Sequence, residues 1–203
     1  MKRHSWCEGY LYDRLLTPLA DWLIRLIVDL VPASSRTLEI GCGPGELACR
    51  MGRKCTQVTA IDISERMIAY AKRKKEDMGI GNVDFFCLPA AEIKDKVNGI
   101  FDYAIASLCL HEMCPEERAE AVRNCMDKCG KMIIADYRAP FPKSIVAFGN
   151  NIMEVLGGPR HHRNFRNWQS AGGIDGFVEA VGLERIKEIE WRDLCGKIIV
   201  VAR

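Results

Sequence analysis

From residue 37 onwards, short apolar runs alternate along the chain with longer segments in which apolar residues recur at helical spacing. Short apolar runs bounded by turn residues are typical of buried strands, whereas apolar positions three and four apart are typical of helices. The pattern predicts strands at 37–41, 58–62, 83–87, 102–107 and 131–136, and helices at 45–53, 65–78 and 115–129. Strands and helices in this order predict a parallel sheet that helices cover on both faces.

The two ends of the chain and the internal segment 137–172 depart from this repeat. Residues 19–31 carry apolar side chains at helical spacing opposite Asp21, Arg25 and Asp29, which predicts an amphipathic helix that packs onto the sheet or lies on a membrane or partner. A helix at 174–181 and strands at 183–191 and 195–201 predict a closing hairpin. Residues 137–172 are rich in Pro, Gly, Asn and Arg, with a helical pattern only at 145–156, and a connection of this length is usually functional.

Composition narrows the classes of protein that fit this pattern. The 203 residues are 48% hydrophobic and 28% charged, which is typical of a single domain, and a net charge of +2 gives no overall field to attract nucleic acid. The amino terminus lacks the apolar stretch of a signal peptide, so we expect the ten cysteines to be thiols in the cytoplasm. No CxxC pair occurs, so no metal is expected. Charges interrupt the apolar run 15–31, which argues against a transmembrane span and leaves peripheral membrane contact open.

A glycine-rich turn, GCGPG at residues 41–45, follows the first strand of the repeat. Glycines lack Cβ atoms and therefore allow a tight turn and the close approach of a ligand to the backbone at a helix start. The spacing G-x-G-x-G, with Glu39 two residues before it, differs from the G-x-G-x-x-G of dinucleotide sites and disfavours a pyrophosphate. Asp62 ends the next strand, where a carboxylate accepts hydrogen bonds from ribose hydroxyls or caps the following helix.

Three stretches resemble the successive motifs of class I S-adenosylmethionine-dependent methyltransferases of the UbiE-like type (methyltransferase type 11): LEIGCGPGELA, VTAIDISERMIAYAKRK and FDYAIASLCLHEM. The resemblance covers residues 35–136. It implies a three-layer, Rossmann-like α/β fold whose seven-stranded sheet is mostly parallel and ends in an antiparallel hairpin. We expect one domain with a helical lid (1–34), a cofactor-binding core (35–136), an acceptor-side insertion (137–172) and a closing helix and hairpin (173–203).

The resemblance also implies the cofactor, S-adenosylmethionine, with S-adenosylhomocysteine as its product. Glu39 and the turn would hold the methionine end, and Asp62 the ribose. The family often has an acid after the third strand, whereas Pro89 stands here, so contact with the adenine amino group falls to the backbone. The predicted cofactor-binding residues are Glu39, Gly41, Cys42, Gly43, Gly45, Asp62, Ile63, Met67, Pro89, Ala90, Ala91 and Ser107.

Catalytic and acceptor-binding residues are expected past the fourth strand and in residues 137–172, because ligands of open α/β sheets bind at the carboxyl edge. His111 is a candidate general base and Glu112 a second one; alternatively His111 only packs, since many methyl acceptors need no protein base. Five Lys or Arg and one acid lie between residues 138 and 168, which suits an anionic or planar acceptor or a solvated loop. The predicted acceptor-binding residues are Tyr12, Tyr137, Arg138 and Arg163.

Several functions remain open at this point. The resemblance predicts methyl transfer to a small-molecule or lipid-like acceptor. A quinone or phospholipid head group fits the UbiE-like motifs, a small anionic metabolite fits the basic segment, and a soft metalloid bound by cysteines is a lesser alternative. Two other classes are a cofactor-binding regulatory or scaffold protein without transferase activity and a nicotinamide oxidoreductase. The sequence does not specify the oligomeric state.

Overall fold

A computed structural model describes residues 17–141, 158–191 and 195–203, with side chains from residue 21. Seven strands form the sheet: Arg36–Ile40 (β1), Gln57–Asp62 (β2), Val83–Cys87 (β3), Phe101–Ser107 (β4), Cys129–Tyr137 (β5), Glu184–Trp191 (β6) and Gly196–Ala202 (β7). The helices are Thr17–Leu30 (α1), Glu46–Gly52 (α2), Glu65–Asp77 (α3), Ile93–Lys96 (α4), Pro115–Met126 (α5), Pro159–Ser170 (α6) and Gly173–Ala180 (α7), and Ala90–Glu92 and Leu110–Glu112 form single 3₁₀ turns.

The sheet has the strand order β3-β2-β1-β4-β5-β7-β6. Strands β1 to β5 pair in parallel, and β7 is antiparallel to both β5 and β6, so six strands share one direction and one is reversed. This confirms the predicted fold class. The strand order changes direction at β1, which lies between β2 and β4. A crevice at the carboxyl ends of these strands is where ligands of such sheets bind.

Two apolar clusters cover the two faces of the sheet. Successive side chains of a strand point to opposite faces, so Ile105 and Ile133 belong to one cluster while Ala104, Ala106 and Ile134 belong to the other. Both faces are therefore buried, which explains why the parallel strands are continuous apolar runs rather than alternating ones. These two layers hold the carboxyl edge in place.

The amphipathic helix α1 packs against this core. Leu23, Ile24 and Ile27 are at most 7% exposed and belong to the same cluster as the residues of α2. Asp21 on its polar side lies 2.6 Å from the Nη1 atom of Arg50 in α2. The sheet-packing prediction for this helix is confirmed. Among the helices that the structure describes, none has the length and apolar character needed to cross a membrane.

The segment 137–172 differs from the prediction. β5 extends to Tyr137, and residues 159–170, expected to be irregular, form the regular helix α6. Phe165 and Trp168 are buried on one face of this helix, while Arg and Asn side chains on its other face hid the helical pattern. The helix predicted at 145–156 lies outside the described residues, and so do residues 1–16 of the predicted lid.

Candidate active site

The glycine turn after β1 leaves one backbone position open. Gly41 and Gly43 have φ angles of +66° and +51°, a conformation that side chains disfavour. A Cβ atom on Gly41 would lie 2.5 Å from the Cβ atom of Cys109, so packing against the segment that follows β4 requires glycine there. A Cβ atom on Gly43 would meet nothing within 4 Å. Gly43 therefore presents bare backbone at the crevice, as the close approach of a ligand requires.

Glu39 is a buried carboxyl group with an unused acceptor. It is 4% exposed, the backbone N–H of Ala48 donates to it, and its Oε2 atom has no hydrogen-bond partner among the described residues. Burial and, to a lesser extent, the charge of Asp62 raise the pKa of Glu39 to about 8, against the opposing effect of the Ala48 N–H. A buried carboxyl oxygen without a partner is costly, and once Glu39 has released its proton this atom fits a ligand that brings a donor, such as the ammonium group of a methionine moiety.

The stability of the fold should depend on pH through Glu39. Its pKa is about 8 in the folded protein and near 4.5 in the unfolded chain, so the folded state holds the proton more tightly. The stabilisation is complete below about pH 4.5 and is lost as pH rises to about 8, at about 1.4 kcal/mol per pH unit. We expect urea unfolding of the ligand-free protein to show this loss between pH 5.5 and 7.5. Glu39→Gln should flatten the dependence, and equal slopes in both proteins would contradict the assignment.

Asp62 joins the glycine turn to the end of β2. Its Oδ2 atom accepts from the N–H of Gly43 at 2.9 Å and its Oδ1 atom from the N–H of Ser64 at 2.8 Å. Burial raises the pKa of Asp62, and these backbone donors oppose the shift. The cap of α3 is Ser64, whose Oγ atom accepts from the N–H of Met67, so the alternative capping role falls to Ser64. Each carboxylate oxygen keeps a lone pair for a hydroxyl donor.

The remaining predicted cofactor residues line the same edge of the sheet. Ile63 follows Asp62 with 74% of its surface exposed, and Met67 is half-buried in the first turn of α3. Pro89 precedes the turn Ala90–Glu92, where Asn124 donates to the carbonyl of Ala91 at 3.0 Å. The other members are the buried Cys42, whose N–H donates to Ile61, Gly45 at the start of α2, and Ser107 at the end of β4.

His111 and Asp136 form a buried pair on the other side of the crevice. The Nδ1 atom of His111 lies 2.7 Å from the Oδ1 atom of Asp136, and the residues are 2% and 0% exposed. Asp136 also accepts from the backbone N–H groups of Leu110, His111 and Tyr137. Because an ionised carboxylate only accepts, the hydrogen-bond network assigns a proton to Nδ1, and in the neutral imidazole Nε2 then carries the lone pair.

An aromatic cluster, defined as Tyr137, Phe141, His161 and Phe165, surrounds the ring of His111. The centroid of this ring lies 4.7 Å from that of Tyr137, 5.8 Å from that of His161 and 6.0 Å from that of Phe165. Phe141 lies 5.4 Å from both Tyr137 and Phe165, with its ring nearly perpendicular to theirs. Edge-to-face rings of this kind form a specific apolar surface.

Helix α6 is fixed to the site by hydrogen bonds at two places. Asn164 donates to the carbonyl of Glu112 at 2.6 Å, and the indole of Trp168 donates to the carbonyl of Tyr137 at 2.8 Å. The buried guanidinium of Arg118 lies 5.0 Å from the Trp168 ring and donates to the carbonyl of Met113. These contacts hold the His161 and Phe165 face of α6 against His111.

The predicted catalytic and acceptor-binding residues divide into two groups. His111, Tyr137 and the half-exposed Glu112 lie together, and Arg138 follows at the end of β5. Arg163 does not join them: it is exposed on the outer face of α6, and that face is also lined by His162 and Arg166. Tyr12 lies outside the described residues. Asp136, His161 and Phe165 were not predicted from the sequence as site residues. The available signal was the four-residue spacing of His161 and Phe165, which places both on one face of a helix.

A match to a known protein family covers the part of the chain that contains the cofactor half of this site. Residues 37–130 match a family model described as methyltransferase domain. An uncharacterized methyltransferase of Staphylococcus carnosus is 35% identical over 108 residues, which make up 51% of this chain and 48% of the relative. The ubiquinone biosynthesis O-methyltransferase of Pseudomonas aeruginosa is 28% identical over 77% of this chain and 67% of its own length. The chain thus spans about half the length of the first of these relatives.

Solved structures show the same fold at low sequence identity. The N-methyltransferase NodS of Bradyrhizobium japonicum, in complex with S-adenosyl-L-homocysteine, has a TM-score of 0.64 at 15% identity and covers 92% of this chain and 86% of its own. The magnesium protoporphyrin IX methyltransferase of Synechocystis, also with bound S-adenosylhomocysteine, has a TM-score of 0.60 at 19% identity, with coverages of 92% and 83%. Both likenesses concern the fold.

Proposed function

We propose that this chain is a class I S-adenosylmethionine-dependent methyltransferase and that it methylates a hydroxyl group of a planar small-molecule acceptor. The observation that carries the choice of acceptor is the His111–Asp136 pair inside the aromatic cluster, at the same sheet edge as the glycine turn. In such a protein the cofactor supplies an electrophilic methyl group on a positively charged sulfur. The residues of this chain supply binding, orientation and proton transfer.

The cofactor-binding half of the proposal rests on three local features. Bare backbone at Gly43 and the unpartnered Oε2 atom of Glu39 fit the methionine end. The two oxygens of Asp62, already fixed by backbone N–H groups, fit the ribose hydroxyls. The exposed side chain of Ile63 provides apolar surface for adenine. Burying the exposed Ile63 and giving Glu39 a partner both favour binding.

The acceptor half favours a planar or lipid-like molecule over a small anion. The half-buried ring of Tyr137 provides a surface for stacking beside His111, and the buried ring of Phe165 packs edge-on against Tyr137. Among the described cations of residues 137–172, Arg160 pairs with Glu117, and Arg163 and Arg166 lie on the outer face of α6, so Arg138 is the one left near the acceptor. A relative in ubiquinone biosynthesis supports the same acceptor class, and the quoted motifs support the UbiE-like subtype. Within this proposal Tyr137 and Arg138 contact the acceptor.

His111 is proposed as the general base. Its Nε2 lone pair would take the proton of the acceptor hydroxyl as the oxygen forms its bond to the methyl carbon. Asp136 would stabilise the resulting imidazolium through the 2.7 Å contact at Nδ1. Glu112, whose side chain is half-exposed beside His161, is the second candidate for this role. Positioning by the fixed helix α6 would contribute further, since a held acceptor avoids the entropy cost of encounter.

Free thiols support a reducing location for this enzyme. All nine cysteines among the described residues are free, and most of them are buried. Burial raises the pKa of the Cys49 and Cys129 thiols to about 11, so these groups stay protonated and pack as small apolar side chains. We therefore include a cytoplasmic location in the proposal.

The acceptor class is tested by labelling. The protein is incubated with methyl-labelled S-adenosylmethionine and a cell extract, and the products are separated into an organic-extractable phenolic fraction and an aqueous anionic fraction. We expect label in the phenolic fraction. Label confined to the anionic fraction would overturn the acceptor class, and lasting absence of labelling would favour a binding or scaffold protein.

A further inference from the structure

We propose that His111, Glu112 and His161 bind one divalent transition-metal ion beside the acceptor. Each residue offers one ligand atom, and the three atoms lie within 4.8 Å of one another. The Nδ1 atom of His161 is 3.7 Å from the Oε2 atom of Glu112, and the His111 and His161 rings are nearly perpendicular, with centroids 5.8 Å apart. The sequence predicted no metal, because spacing rules do not connect histidines 50 positions apart.

The surroundings of His111 are those of a metal ligand. A histidine that binds a metal usually donates its other ring N–H to a carboxylate, which fixes the ring and the tautomer. Asp136 accepts this bond at 2.7 Å and is itself held by three backbone N–H groups. The ring of His111 is therefore oriented before any ion arrives.

The ligand set indicates which ions fit. Two imidazoles and one carboxylate suit Zn²⁺, Co²⁺ and similar borderline ions, and three protein ligands leave a position open, as in catalytic zinc sites. Ligand atoms about 2.1 Å from a tetrahedral ion are about 3.4 Å apart, so the trio must contract slightly. The side chain of Glu112 is 50% exposed and has room to move, whereas His111 is held by Asp136.

This inference rests on the proposed function and adds a second, ion-bound state of the acceptor site. The Nε2 lone pair of His111 cannot bind a proton and a metal ion at once, so the ion-bound molecule lacks the histidine base. In that state the open coordination position would hold the acceptor oxygen, and the ion would favour its deprotonated form, with the proton released to solvent.

Cobalt binding tests the site without any activity measurement. The full-length protein is freed of metal with a chelator and titrated with Co²⁺, followed by calorimetry and visible absorption. We expect one ion per chain, and affinity about tenfold or more weaker in Glu112→Gln and in His161→Asn. His162→Asn is the matched control, because His162 lies on the outer face of α6 with Arg163, and it should bind cobalt as the wild type does.

Three results would overturn the proposal. They are no binding of cobalt, wild-type affinity for cobalt in both ligand variants, or a sulfur-to-cobalt charge-transfer band, which would show that thiols such as the exposed Cys87 hold the ion. Thermal unfolding of each variant establishes that it is folded. S-adenosylmethionine is titrated into the same samples. Cofactor binding without cobalt binding would overturn the metal site alone, whereas absent cofactor binding would overturn the proposed function.

Discussion

Replacing His111 by asparagine should lower the turnover number for methyl transfer by about 10²–10⁴-fold, which is the usual contribution of a general base. The asparagine side chain keeps an N–H donor for Asp136, whose carboxylate would otherwise lose its 2.7 Å partner in a buried position. The affinity for S-adenosylmethionine should not change, because the glycine turn and Asp62 lie on the other side of the crevice. Steady-state kinetics in chelator-treated buffer and calorimetry measure the two effects separately.

His162→Asn is again the control, since it changes the same type of side chain on the outer face of α6. Turnover at the wild-type level in His111→Asn would show that the acceptor needs no protein base and that His111 only packs. A higher KM for the acceptor with unchanged turnover would assign His111 to binding.

Replacing Gly43 by valine should weaken the binding of S-adenosylmethionine by about 10–100-fold. The new side chain would occupy the open space in front of the turn, where nothing lies within 4 Å, and overpacking of this kind costs about 1–3 kcal/mol. Calorimetric titration measures the loss.

Gly79→Val separates this effect from backbone strain. Gly79 has a φ angle of +65° and the same open surroundings, but it follows the end of α3 away from the site. Both substitutions should lower the free energy of unfolding by about 1–2 kcal/mol, and only the one at Gly43 should weaken binding. Equal affinities in the two variants would show that the ligand does not approach the turn at Gly43.

The cofactor half of the site was predictable because its residues are close in sequence. Residues 38–48 contain Glu39 and the whole turn, and Asp62 ends the next strand, so strand periodicity alone places them at one edge. The protonation of Glu39 was not predictable, because its raised pKa arises from burial that only the assembled core creates.

The acceptor half was less predictable because it joins three distant parts of the chain. His111 follows β4, Asp136 lies near the end of β5, and His161 is carried by α6. No local pattern specifies which face of α6 meets β5; the burial of Phe165 and Trp168 decides it and turns Arg163 outwards. The hydrogen bond from Trp168 to Tyr137 then fixes the position of the helix.

The proposed binding of S-adenosylmethionine at the turn after β1 can be measured by calorimetric titration of the unmodified chain with S-adenosylmethionine, S-adenosylhomocysteine and NAD. We expect saturable binding of the first two at one site per chain, no binding of NAD, and loss of affinity in Gly43→Val. Binding of NAD without binding of S-adenosylmethionine would contradict the claim.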